Sequence, residues 1–277
     1  MALKVESVGR ETKVLEHSYE WKDVVLYALG VGATLDELEL IYEKNGPRVL
    51  PTYAVIPAFA ALDELFEHVG GDFEGVVHGA QKIVCRRPFK PEGTLKTVGT
   101  VAAVYDLKRM AQAIFTTKTM DGDDLVCETE WQIIFRFDGG FDGPRPPKSE
   151  RIKVPDTEPD FRVEEKSALT QAALYRLSGD LNPLHIDPEI ATKVGFDRPI
   201  MHGLCTFGYA GRAVVREACG GDVSKLRELR GQFRKPMWPG DTMVTQGWNE
   251  GERIIVRTCA LERPDDFAFT NACAVVG

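Results

Sequence analysis

An aspartate, an asparagine and a histidine stand at positions 180, 182 and 185, inside the stretch YRLSGDLNPLHIDPEIATKVGFDRPIMHGLCTFGYAGR that runs from Tyr175 to Arg212. Carboxylate and imidazole are side chains that trade protons near neutral pH. Gly179 precedes the Asp and Pro183 separates the Asn from the His, so the segment is irregular, and an irregular segment can turn several polar side chains into one pocket. A second histidine, His202, then opens with Gly203 an apolar run to Cys219, with Leu204, Phe207, Val214, Val215 and Ala218 at helical spacing. The start of such a helix offers unpaired N–H groups and the positive end of its dipole, a place for a polarised carbonyl oxygen. Asp187-Pro188-Glu189 predicts a short intervening helix, with Asp as N-cap and Gly195 as its stop.

Each of these residues also has a plain structural use. Gly-Asp and Asn-Pro are turn formers, and a histidine can be a satisfied core residue. His202 suits packing at a helix entry, and Cys205 inside an apolar helix reads as inert. His185-x-Asp187 lacks further ligands at metal spacing, so no metal is expected.

Composition bounds the rest. At 277 residues and 43% hydrophobic content the chain can hold two modest domains with ordinary cores. A net charge of −8 argues against nucleic acid or anionic membrane as partners, and a phosphorylated ligand would need a local basic patch. No secretory h-region and no membrane-length apolar stretch is present, and six scattered cysteines without a CxxC pair read as free thiols. With no SKL-type ending in ACAVVG, the expectation is a soluble cytoplasmic protein.

The elements that must position the chemistry follow a two-part order. Helices are expected after Tyr27 through LDELELIYEK and over Pro57–Val69, which ends at Gly70-Gly71. Strand-like runs then occupy residues 75–137, with turns at KPEG and DGDD. Eight Gly or Pro residues mark 139–160 as a linker between units 1–138 and 161–277. Helices are expected again at 164–176, 188–194 and 203–219, then strands from Leu229 to Val276.

A shift of 148 positions superposes the two orders without a gap. It matches Tyr27 with Tyr175, Pro51 with Pro199, Phe59 with Phe207, Pro88 with Pro236 and Gly99 with Gly247. The chain therefore reads as two copies of one unit. Asp180, Asn182 and His185 fall on Gly32, Thr34 and Glu37, so the first copy carries no acid/base set and is free to shape a binding groove.

The segment D-x-N-P-x-H followed by HGLCTFG resembles the MaoC-like (R)-specific enoyl-CoA hydratases, in particular the hydratase 2 type of peroxisomal multifunctional enzymes. RGQFRKPMWPGDTM, YALGVGA and VVHGAQKIVCRRPFKPEGTL support the likeness over almost the whole chain. It implies an α+β double hot-dog fold, each repeat an antiparallel sheet wrapped around a central helix, with homodimers expected. It implies addition of water to trans-2-enoyl-CoA giving (3R)-3-hydroxyacyl-CoA, with Asp180 and His185 holding the water, Asn182 orienting them and the Gly203 N–H binding the thioester oxygen. It also implies CoA contacts at His78, Gly79, Lys108 and Phe233. Arg86, Arg87, Lys90, Arg234 and Lys235 form basic clusters at equivalent places in the repeats, either of which could meet CoA phosphates. No cofactor is expected. Two rival functions share the ligand: a hot-dog acyl-CoA thioesterase, and a silent acyl-CoA-binding subunit.

Overall fold

The computed structural model describes residues 2–148 and 150–277. The first half runs β1 (Leu15–Tyr19), α1 (Trp21–Gly30), the single turn α2 (Leu38–Ile41), α3 (Val55–Phe59), α4 (Ala61–Val69), then β2 (Val76–Cys85), β3 (Gly93–Asp106), β4 (Ala111–Asp121) and β5 (Asp124–Phe135). The second half repeats that order. It runs β6 (Phe161–Lys166), α5 (Gln171–Tyr175), α6 (Pro188–Lys193), α7 (Gly203–Ala218), β7 (Leu226–Phe233), β8 (Thr242–Glu250), β9 (Arg253–Ala260) and β10 (Arg263–Val276).

All ten strands form one antiparallel sheet in the order β1-β3-β4-β5-β2-β7-β10-β9-β8-β6. Under the 148-residue shift the order reads the same from either end. The halves meet where β2 pairs with β7, and Lys82 sits opposite Arg230, the residue onto which the shift carries it. A local two-fold axis therefore passes through that pair, and the gapless repeat is a structural one up to β8. Beyond it the match slips, because β3 has 14 residues and β8 has 9, so β9 and β10 arrive early.

Each half wraps its strands around helix: α4 packs on β3 and β4, and α7 on β7 to β10. Helix α7 is buried from Leu204 to Val215, because small residues let other elements come close. A Cβ on Gly208 would collide with Val31, and one on Gly211 with Thr52. Helix α4 is the narrower counterpart. The predicted helix over 57–69 is interrupted at Ala60, which keeps right-handed torsions (φ −60°, ψ −24°), so α3 and α4 form one loosened helix.

Two helix expectations fail. Residues 161–166 are an edge strand, and helix returns only at α5. Pairing of Phe161–Lys166 with β8 overrides the helical propensity of VEEK, and the Phe161 ring occupies the space where Gly247 has no Cβ. In the first half only the single turn α2 falls within LDELELIYEK, and upstream of it lies the longer helix, α1. Glu20 and Asp23 close a reciprocal capping box at its start, which fixes it there. The described residues of 139–160 form no helix or strand. They are pinned at both ends: the Asp106 N–H donates to the Pro144 carbonyl, and Trp248 Nε1 donates to the Thr157 carbonyl.

One buried ion cluster ties the halves together. Arg212 on α7, 1% exposed, donates to Glu37 Oε2 at 2.5 Å, to Glu165 Oε1 at 2.6 Å and to the Val31 carbonyl at 3.0 Å. Glu37 is the first-copy counterpart of His185. Its carboxylate now serves architecture. Replacing Arg212 by Ala would strand the Glu37 carboxylate in a poorly solvated place and leave Glu165 to Arg216 alone, and should cost about 3–5 kcal/mol. Urea unfolding of Arg212→Ala against wild type measures it, with the less costly Arg212→Met as the control that keeps the volume.

Candidate active site

A cavity of about 600 Å³ opens between the halves. From the first half it takes Phe59, Leu62, Phe66, Val76, Val77, His78, Trp131 and Ile133, and from the second Asp180, Asn182, His185, Gly203, Thr206 and Phe233 among others. One wall is apolar and the other carries the polar residues.

The polar wall is built locally. Gly179, at φ 138°, turns the chain after α5, and the Asp180 carboxylate accepts the Asn182 N–H at 3.2 Å. Asn182 Oδ1 in turn accepts the Leu184 N–H at 3.0 Å, so its side chain caps the short turn that delivers His185. Asp187 caps α6 through the Glu189 and Ile190 N–H groups, as predicted. His185, 8% exposed, bonds through Nδ1 to the Ile200 carbonyl at 2.8 Å. A carbonyl only accepts, so Nδ1 carries the proton and Nε2 is left with a lone pair. Side-chain donor atoms of Asp180, His185 and His202 lie within 4.8 Å of one another.

Burial sets the charges of the pair. It raises the Asp180 carboxyl above the ordinary carboxylate range, opposed by His185, the Asn182 N–H and Arg176. It lowers the His185 imidazole, opposed by Asp180 and the Ile200 carbonyl. Both shifts favour a neutral acid beside a neutral base. The His185 and His202 rings stack with centroids 3.7 Å apart and planes at 30°.

Gly203 begins α7 at the edge of this cavity. Among the described residues no backbone carbonyl accepts its N–H or that of Leu204, so both point their donors beyond the helix. A Cβ at Gly203 would sit 3.3 Å from the Phe233 ring, so glycine keeps that approach open. Phe233 also meets His78 edge to face at 4.9 Å, and His78 stacks on Trp131 at 5.2 Å.

The remaining predicted residues divide. Arg234 and Lys235 line the cavity, and Arg234 also lines a neighbouring groove with Arg151 and Lys153. Gly79 does not line it: it occupies a bulge in β2 next to His78, packed against Ile134 and Gln132. Lys108 does not line it either, but sits at φ 74° in the turn between β3 and β4, held by Asp106. The first basic cluster is also absent from the cavity. Arg86, Arg87 and Lys90 are paired with Glu128, Asp124 and Asp121 on the β4–β5 hairpin. Sequence reasoning missed Trp131, Phe59 and Phe66; the last two lay in an apolar helix pattern that gave no sign of which face meets ligand.

In the first copy the equivalent place is occupied. A Cβ on Gly32, the counterpart of Asp180, would collide with the Tyr209 ring of α7, and Arg212 reaches Glu37. The second copy's helix fills the first copy's site.

A sheet wrapped twice around helices, with a single Asp–His pair at one helix start, defines a double hot-dog protein with one acid–base site. The comparisons agree. The MFE-2 hydratase 2 N-terminal domain family matches residues 17–137, and the MaoC like domain family matches residues 151–265. The enoyl-CoA hydratase 2, peroxisomal, of Arabidopsis thaliana is 35% identical over 89% of this chain and 87% of its own length. The peroxisomal multifunctional enzyme type 2 of Mus musculus is 36% identical over 97% of this chain, which spans only 38% of that longer protein. A crystal structure of a MaoC-like dehydratase from Phytophthora capsici superposes with TM-score 0.89 at 31% identity, covering 99% of this chain and 98% of that one. A Mycobacterium tuberculosis protein described as a double hotdog fold superposes at TM-score 0.59 and 15% identity over 98% and 97% of the two chains, a likeness of fold alone. The chain belongs to the MaoC-like hydratase family, in its hydratase 2 type.

Burial also lowers His78 from 6.5 to about 4, against its bond to the Ala80 carbonyl. A depressed folded value means the contribution to stability is full above pH 6.5 and is lost as pH falls through about 4. His185 and His202 act in the same direction, while the raised Asp180 acts oppositely, favouring the fold at low pH. His78→Phe should therefore lose less stability than wild type between pH 6.5 and 4, measured as urea midpoints across that window.

Proposed function

We propose that this protein is an (R)-specific 2-enoyl-CoA hydratase, adding water reversibly to a trans-2-enoyl-CoA to give the (3R)-3-hydroxyacyl-CoA. The observation that carries the reading is the bare Nε2 of His185 beside the Asp180 carboxyl, at the start of α7 and at the mouth of an apolar pocket.

The chemistry follows from that arrangement. The thioester oxygen meets the Gly203 N–H, and the acyl chain lies along Phe59, Leu62, Phe66, Trp131 and Ile133. A water held between His185 and Asp180 attacks C3, and His185 Nε2 takes its proton. Negative charge gathers on the thioester oxygen as an enolate, where preorganised N–H groups stabilise it without reorganising. The protonated Asp180 delivers its proton to C2. His185 then returns a proton to Asp180, and the pair is reset. Asn182 holds the loop in register. The reaction exchanges neither electrons nor phosphate, so the reading calls for no cofactor.

Arg234 and Lys235 at the rim are our candidates for the CoA phosphates, with Phe233 and His78 flanking the pantetheine entry. Lys235 also pairs with Asp266 at 3.6 Å, which leaves Arg234 the stronger candidate. The six cysteines are free and buried, which supports a reducing compartment such as the cytoplasm. No helix among the described residues is long and apolar enough to cross a membrane. A homodimer is the assembly this reading carries over from the family.

Loss of enoyl-thioester ultraviolet absorbance, with free thiol followed in parallel, tests the reading. Absorbance should fall without thiol release on crotonyl-CoA or a long-chain enoyl-CoA, and chiral analysis should return the (3R) product. Asp180→Asn and His185→Gln should each lower kcat by about 10²–10⁴-fold with CoA binding kept. Thiol release in place of hydration would make the protein a thioesterase, and undiminished turnover in Asp180→Asn would remove the pair from the mechanism.

A further inference from the structure

His202 is the buried histidine that the proposed reaction leaves without a task. It is 1% exposed and stands at the N-cap of α7, one residue before Gly203. Its Nε2 lies 3.1 Å from the Asp180 carbonyl, so the proton is on Nε2. Its Nδ1 is buried with no hydrogen-bond partner among the described residues. The ring lies 3.7 Å from that of His185 on one side and 4.9 Å from that of Tyr175 on another.

A buried orphan nitrogen is unfavourable and calls for a reason. Phenylalanine would fill the same space and stack as well, without the orphan. Glutamine would offer an N–H to the Asp180 carbonyl, without the flat face. Histidine alone does both. Its backbone leads into the helix start, its Nε2–H fixes the main chain of the acid, and its face fixes the plane of the base.

We propose that His202 is the positioning residue of this site: an imidazole that locks Asp180, His185 and the Gly203 N–H into one rigid unit. The proposal deepens the hydratase reading and rests on it. The groups facing His202 are His185, Asp180, Arg176 and Tyr175. Burial first, then His185 and Arg176, push its imidazole down to about 2, against the pull of the Asp180 carbonyl. A proton entering the site therefore stays on the Asp180–His185 pair. The ring also covers one face of His185, keeping water off it and its basicity low.

Two substitutions separate the two contacts. His202→Phe keeps the stack and loses the N–H, while His202→Gln keeps an N–H and loses the stack. Each should lower kcat by about 10²-fold, the scale of a small misplacement of reacting groups, with KM little changed. Their pH profiles should differ. His202→Gln wets His185, so the acid limb of kcat/KM moves up by roughly one pH unit, whereas His202→Phe leaves it in place. A residue that merely packs would reduce activity in proportion to the folded fraction, with no shift of the limb, and that result would overturn the proposal.

Should both variants fail to fold, the wild-type protein decides. Imidazole nitrogen NMR should find His202 protonated on Nε2 only, unchanged between about pH 5 and 8. A His202 that titrates in that range, or carries its proton on Nδ1, ends the proposal. Failure of the hydratase reading would look different: wild type would not hydrate enoyl-CoA at all, while the His202 signals stayed as described.

Discussion

The antiparallel pairing of β2 with β7 is the constraint on which the other features depend. It makes two five-stranded units into one sheet and sets their relation, since Lys82 opposite Arg230 leaves a single two-fold register. A slip of one residue would turn every side chain of β7 to the other face. His78, on β2, and Phe233, at the end of β7, would then no longer meet. The cavity lies between the halves and takes its apolar wall from one and its polar wall from the other, so it exists only in that register.

Within this frame the two copies have divided the work. The position that carries His185 in the second copy carries Glu37 in the first, where it binds Arg212 of the second copy's helix. Tyr209 occupies the space beside Gly32, the counterpart of Asp180. A duplicated fold with two open sites would leave two polar clefts to solvate. Here one is closed by a buried, fully bonded arginine cluster, and the other keeps its polar groups for a substrate. The cost of desolvating Arg212 is offset only because both carboxylates and the Val31 carbonyl are in place.

The open site uses desolvation in the opposite sense. Asp180 and His185 are buried enough to resist charge, yet each keeps an unspent bonding position facing the cavity. Backbone carbonyls supply most of the order: Ile200 fixes the tautomer of His185 and Asp180 fixes that of His202. Carbonyls do not titrate, so the tautomers of both imidazoles are independent of pH until the rings themselves are forced to charge.

Much of this was determined by the sequence by itself. The Asp180, Asn182 and His185 spacing, the caps of α6, the start of α7 at Gly203, the strands from Val76 to Phe135 and the repeat up to β8 all rest on local torsion preferences, turn residues and side-chain periodicity, which neighbours along the chain encode. The tertiary structure alone decided the rest. It made residues 161–166 a strand because β8 offers an edge, and placed α1 ahead of the acidic run. It paired Arg86, Arg87 and Lys90 with carboxylates across a hairpin, away from the cavity, and gave Glu37 to Arg212 across 175 residues. Which nitrogen of His185 is free, and which way burial moves each proton, depends on groups brought close only by folding. Desolvation and ion pairing act through space, and no pattern of neighbours in the chain records them.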